Sequence, residues 1–146
     1  MDFKKHKDAY YIRFDRGDEI VRGILDICES EGIASATFSG IGGCGAAEIQ
    51  TFVPERGDYE TDSVSGMLEL VSINGNVTQG EDGGLRQHTH ALFAYKKDGR
   101  HFTVGGHLKS ATVLITAEIE LRPLACGVIR RVFDEATGIA IWNFGD

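Results

Sequence analysis

Three of the five histidines stand at spacings that bring imidazoles together: His88-Thr89-His90 opens the apolar run 91–95, and His107 ends Val104-Gly105-Gly106-His107. Side chains at i and i+2 of a strand share a face, so His88 and His90 point the same way. Between the two segments, Lys97-Asp98-Gly99 reads as a tight hairpin loop that turns the chain back on itself. Counted outward from that turn, His107 arrives at the level of His88 and His90, where cross-strand neighbours come within a few ångströms. Three imidazoles suit zinc or another late first-row divalent ion, with one coordination position left for water or a ligand oxygen. Water bound there would have its pKa lowered toward neutrality. Gly105 and Gly106 take away side-chain bulk, which predicts close approach of a ligand or a neighbouring subunit beside the metal.

The other titratable groups fit this site less well. His101 follows the turn and reads as exposed, and His6 belongs to the basic segment 4–7, read as frayed. Glu69 in the segment 66–70 and Glu118 in the segment 111–121 are the carboxylates best placed to face a cleft, as catalytic candidates. Solvent-facing strand carboxylates are their plainer reading.

The elements that must position the histidines are mostly strands. A strand over 10–14 leads through Gly17-Asp18 into one helix, with Asp18 as its N-cap. Ile20, Val21, Ile24, Leu25, Ile27 and Cys28 give that helix an apolar stripe, and Gly32 stands where a left-handed terminus is wanted. Short β-rich runs follow at 34–38, 46–53, 66–77, 88–96 and 101–107, separated by turn signals at 54–58, 80–84 and 97–99. The segment 111–121 alternates, with Ala111, Val113, Ile115, Ala117, Ile119 and Leu121 on one face. A closing hairpin is expected from 128–133 and 139–144 around a loop at 134–138, with Trp142 and Phe144 as packing or subunit-contact residues. One helix among adjacent strands predicts a single α+β domain over 1–146, its ordered core from about residue 8, with a mostly antiparallel sheet packed with one main helix.

Gly40-Ile41-Gly42-Gly43-Cys44-Gly45 satisfies the G-x-G-x-x-G pattern, but a dinucleotide site needs a helix directly after the loop, and 46–53 reads as strand. A bulged corner with close backbone approach is expected instead, and no cofactor-binding residues are assigned there. Cys28, Cys44 and Cys126 are odd in number and widely spaced, so they read as reduced thiols, with Cys44 the best placed for a catalytic role. The formal net charge of -7 works against nonspecific contact with phosphate backbones or anionic lipid. With no apolar leader in the first ten residues and no apolar run long enough to span a bilayer, a cytoplasmic protein is expected.

Phe14-Asp15-Arg16-Gly17-Asp18-Glu19-Ile20 before the helix and Phe38-Ser39-Gly40-Ile41-Gly42 after it, with Gly66-Met67-Leu68-Glu69-Leu70-Val71-Ser72 and Asn74-Gly75-Asn76, join the histidine motifs in a pattern. With His88-Thr89-His90 and Gly105-Gly106-His107-Leu108, the whole resembles the PCC domain, also called PPC, found alone in prokaryotes and joined to AT-hooks in plant nuclear proteins. The resemblance implies an α+β fold assembling as a homotrimer, and a metal site carried here by His88, His90 and His107. It also brings the family label of predicted DNA-binding protein. This chain has no Arg-Gly-Arg-Pro hook, and its basic residues are scattered apart from 4–7 and Arg130-Arg131. Two functions follow as expectations: a zinc-binding trimeric module that regulates or binds a small ligand, or a zinc-dependent enzyme using the open coordination position.

Overall fold

The computed structural model describes residues 1–125 and 127–145; Cys126 lies outside them. In chain order come β1 (Asp2–His6), β2 (Ala9–Asp15), α1 (Ile20–Ser30), β3 (Ala36–Val53) and β4 (Asp58–Gln79). They are followed by β5 (Leu85–Lys97), β6 (Arg100–Pro123), β7 (Arg130–Asp134) and β8 (Ile139–Asn143). The domain is α+β, a mostly antiparallel sheet with one helix, as expected.

Pairing among the four long strands is cyclic: β3 with β4, β4 with β5, β5 with β6, and β6 back with β3, all antiparallel. The ring encloses an apolar core that includes Phe38, Leu68, Leu70, Ile73, Phe93 and Leu121. Closure leaves these strands without a free edge where they pair on both sides, so their backbone polar groups are satisfied internally. The β1–β2 hairpin extends the sheet from β6, and the β7–β8 hairpin joins at the end of β4 through the parallel bridge Gln79↔Arg130.

The long strands run through segments that local signals break. Residues 40–45 form part of the continuous β3, bulged between Gly40 and Gly42 and again between Cys44 and Ala46, rather than a corner. A Cβ at Gly42 would lie 2.6 Å from the Thr116 carbonyl oxygen, so glycine permits the close approach of β6. Ladder hydrogen bonds on both sides of β3 outweigh the local preference of glycine for turns. Opposite this bulge, Gly42 pairs with Ala117 and Cys44 with Val113, so three residues of β6 face only Gly43. The expected inward Ile115 consequently faces outward and is 60% exposed.

The N-terminal segment 4–7 is not frayed. Each residue of β1 pairs with β2, Phe3 packs near Tyr10 with ring centroids 6.0 Å apart, and Lys5 Nζ lies 5.2 Å from the Tyr10 centroid. Lysine stems covering an aromatic ring let a basic segment behave as strand. At the other end, the loop between β7 and β8 spans the four residues 135–138. Trp142 and Phe144 are exposed, their rings edge to face at 5.9 Å, so they do not pack into the core.

Helix α1 buries Ile20, Val21, Ile24, Ile27 and Cys28 and lies against β5 and β6. Gly32 has φ +66°, as the helix end required. The N-cap is Glu19 rather than Asp18, whose carboxylate instead accepts from the Asp15 N–H at 2.8 Å. Glu19 accepts from Val21 N–H at 3.0 Å and Arg22 N–H at 2.7 Å, and its Oε1 also accepts from Ala111 N–H at 2.9 Å. One carboxylate therefore caps the helix and ties it to β6. Glu19→Ala should lower unfolding free energy by about 2 kcal/mol, read by urea denaturation, because it removes a cap and orphans the amide of fully buried Ala111.

Candidate metal centre

The hairpin that carries the histidines is set by a two-residue turn. Asp98 has φ +50° and Gly99 φ +76°, the left-handed pair of a type I′ turn, whose twist matches the flanking strands. From Lys97↔Arg100 the register runs without a shift to His90↔His107. Along β5, Thr89, Ala91 and Phe93 are buried, which turns His88 and His90 to the outer face of the ring. His107 sits where β6 passes from one neighbour to another, pairing with both His90 and Gln50.

The three imidazoles meet. Ring centroids are 5.1 Å apart for His88 and His107, 5.3 Å for His88 and His90, and 5.6 Å for His90 and His107. One ring nitrogen from each lies within 4.8 Å of the others, the only such group of three potential ligands among the described residues. Nitrogens bound to one tetrahedral zinc ion stand roughly 3.4 Å apart, given bonds of 2.0–2.1 Å, so small ring rotations bring this donor set onto an ion. The residues therefore fit a metal.

Burial favours the free-base imidazoles a metal requires. It is the largest cause lowering the His88 pKa, with Arg131 and His90 adding to it. Burial also leads at His107, pushed down to about 4, with His88, His90 and Arg131 contributing. Both rings are uncharged at neutral pH, so a cation need not displace their protons.

Arg131 on β7 is the site residue that sequence reasoning missed. Its Nε donates to Thr78 Oγ1, its Nη1 to the Ala140 carbonyl and its Nη2 to Asn76 Oδ1, each at 3.0 Å. Nη2 also lies 3.3 Å from His88 Nδ1. A guanidinium only donates, so this contact is a hydrogen bond only in the tautomer with an unprotonated Nδ1, and a metal on His88 would take the lone pair that the contact uses. The sequence places Arg131 some forty residues from His88, and only the parallel bridge at the end of β4 brings it there. Tyr59 was likewise unseen; it stacks obliquely on His107 with centroids 5.3 Å apart.

The other candidates fall elsewhere. Gly105 makes room for backbone, since a Cβ there would lie 2.4 Å from the Ala91 carbonyl oxygen, and with Gly106 it also lines a depression beside His90. Glu69 and Glu118 are exposed and line a separate apolar depression with Ile41, Met67 and Ile115, not the cavity over the histidines. Glu69 pairs with Ala94 while Asn74 pairs with His90, five positions or about 16 Å along β4. Cys44 is fully buried, and burial pushes its thiol up to about 11, so it holds no thiolate for catalysis. His6 and His101 are exposed and outside the cluster.

The Plants and Prokaryotes Conserved (PCC) domain matches residues 1–125. The chain belongs to this family. A metal-containing protein from Archaeoglobus fulgidus is 34% identical, with 97% of this chain and 96% of that one covered at a TM-score of 0.82. A plant- and prokaryote-conserved protein from Pyrococcus horikoshii is 29% identical, covering 99% and 95% at 0.84. A candidate DNA-binding protein from Bacteroides thetaiotaomicron shares the fold at 24% identity and TM-score 0.88, covering 98% and 96%. Among curated proteins none matches the chain. No helix among the described residues is long and apolar enough to cross a membrane.

The depressed histidines make acid sensitivity a test of the site. In the unfolded chain His107 titrates near 6.5 and in the folded chain near 4, so between these values the unfolded state binds more protons. Stability of the metal-stripped protein should therefore fall as pH drops from 7 to 5.5, a window above the carboxylates. Urea midpoints across it should show a shallower slope in His107→Gln than in the parent.

Proposed function

We propose that this protein is a zinc-binding PCC-family module that works as a homotrimer and holds a small-molecule ligand at the metal. The observation that carries this reading is the convergence of His88, His90 and His107 beside a cavity of about 660 Å³ lined by His88, His107 and Arg131. An all-imidazole donor set favours zinc over the hard cations magnesium and calcium, which take oxygen ligands. Three protein ligands leave one position that the metal can offer to a ligand oxygen. The metal-containing relative from Archaeoglobus fulgidus is in keeping with this.

The zinc-enzyme alternative has less behind it: the metal-binding group is made of histidines alone, Glu69 and Glu118 line the other depression, and Glu81 and Asp82 on the histidine cavity sit in an exposed turn, Asp82 paired with Arg86. A DNA-binding role has the likeness to the Bacteroides thetaiotaomicron protein behind it and the net charge of -7 against it. In a trimer that negative charge adds up, which weakens the phosphate contacts that dominate nonspecific affinity.

The trimer has its own support. Ile41, Met67, Val71 and Ile115 are all exposed and line one depression of about 610 Å³, a contiguous apolar patch of the kind that marks protein contact. Glu69 and Glu118 on the same depression belong, in this reading, to subunit contact rather than to catalysis.

Elemental analysis of protein purified without added metal should find one zinc per chain. His90→Ala, at an exposed position that leaves the core untouched, should weaken zinc binding by more than about 100-fold with an unchanged circular dichroism spectrum. Sedimentation should give a mass three times the 15.9 kDa of one chain, and Ile115→Asp should reduce it to one. A parent protein that sediments as a monomer would remove the trimer from the proposal.

A further inference from the structure

The cavity over the histidines is graded in chemistry, and the gradient identifies a class of ligand. Its volume of about 660 Å³ suits a small organic molecule. At the histidine end stand His88, His107 and the Arg131 guanidinium, which three hydrogen bonds hold in place. With a divalent ion on the histidines, this end is strongly positive. The carboxylates that also line the cavity, Glu81 and Asp82, sit in the exposed β4–β5 turn, and Asp82 is paired at 2.6 Å with Arg86, which lines the cavity as well, so that pair adds no net charge. The walls are apolar: Phe52 and Tyr59 come from the β3–β4 hairpin, and Phe133 and Ile139 from the β7–β8 hairpin.

Two details narrow the ligand. Three of the five N–H groups of Arg131 are taken by Thr78, Ala140 and Asn76, and a fourth, on Nη2, is directed at His88 Nδ1, so one N–H on Nη1 is left and no two-donor fork for a phosphate. One anionic oxygen at the metal, with the positive charge of Arg131 behind it, matches a monocarboxylate better than a dianion. Phe133 is 62% exposed although it lines the cavity, an apolar surface that a ligand's body would cover.

We propose that this cavity binds a monocarboxylate with an aromatic or bulky apolar body, its carboxylate at the histidine end and its body against Tyr59, Phe52 and Phe133. The PCC match ends at residue 125, whereas Phe133 and Ile139 lie beyond it. The family domain therefore supplies the metal ligands, and the C-terminal hairpin supplies selectivity for the body. This inference rests on the zinc reading above.

Calorimetry on the zinc-loaded full chain tests it with four probes: 3-phenylpropanoate, acetate, 3-phenylpropanamide and inorganic phosphate. Burial of the phenyl group should make 3-phenylpropanoate bind at least about tenfold tighter than acetate. Loss of the charge should make the amide at least about tenfold weaker than the acid. Phe133→Ser should erase most of the advantage over acetate while leaving acetate affinity and zinc content unchanged. Phe52→Ser supplies the same measurement from the other wall if the first variant disturbs the hairpin.

Equal affinity for acetate and 3-phenylpropanoate in a zinc-loaded sample would overturn the apolar-body assignment and leave the zinc reading standing. An amide that binds as well as the acid, or phosphate that binds tighter than both carboxylates, would overturn the monocarboxylate assignment. Failure to load zinc at all would remove the metal reading, and this inference with it.

Discussion

Everything at the histidine cluster depends on the register of the β5–β6 hairpin. Strand side chains alternate with a period of two, so a slip of one residue would send His107 to the core face while His88 and His90 stayed outside. The turn at Asp98-Gly99 prevents that slip, because both residues hold the left-handed conformation that a two-residue loop demands. The buried partners on the other face, Thr89, Ala91 and Phe93, resist it as well, since reversing the face would put Phe93 in water and a histidine in the core.

Register alone does not bring the three rings together; the ring of strands does the rest. β5 is paired with β4 at both His88 and His90 and with β6 from His90 onward, so His90 is held from two sides and His88 from one. His107 stands where β6 leaves β5 and meets β3, a point constrained from two directions. Close backbone approaches at Gly42 and Gly105 draw the strands together. The partial burial that this creates lowers the proton affinity of His88 and His107, so the scaffold that positions the donors also keeps them uncharged.

Two concave surfaces differ in their chemistry. One combines nitrogen donors, a fixed guanidinium and aromatic walls, which suits a small charged molecule. The other combines exposed aliphatic side chains from β3, β4 and β6 around a bulge, which suits another protein surface. The bulge opposite Gly43 matters here because it turns Ile115 outward, leaving a residue of core type exposed on that surface. The C-terminal hairpin reaches the first surface through one parallel bridge and the hydrogen bonds of Arg131.

The amino-acid sequence by itself determined the histidine pair, its partner across the turn, the helix stripe and the α+β class. Each of these is a local pattern, in which period-two alternation, turn chemistry and helical spacing act over a few residues. The tertiary structure decided what depends on long-range pairing. The runs 34–38 and 46–53 became one strand because ladders on both sides override glycine, and residues 4–6 of the basic segment became strand because β2, with Tyr10, lies beside them. Glu19 displaced Asp18 as the cap because its carboxylate also reaches the amide of Ala111, which no local reading brings near. Arg131 and Tyr59 were invisible in the sequence for the same reason: their proximity to the histidines is set by strand pairing across the chain, and a side chain's role there follows from its neighbours rather than its type.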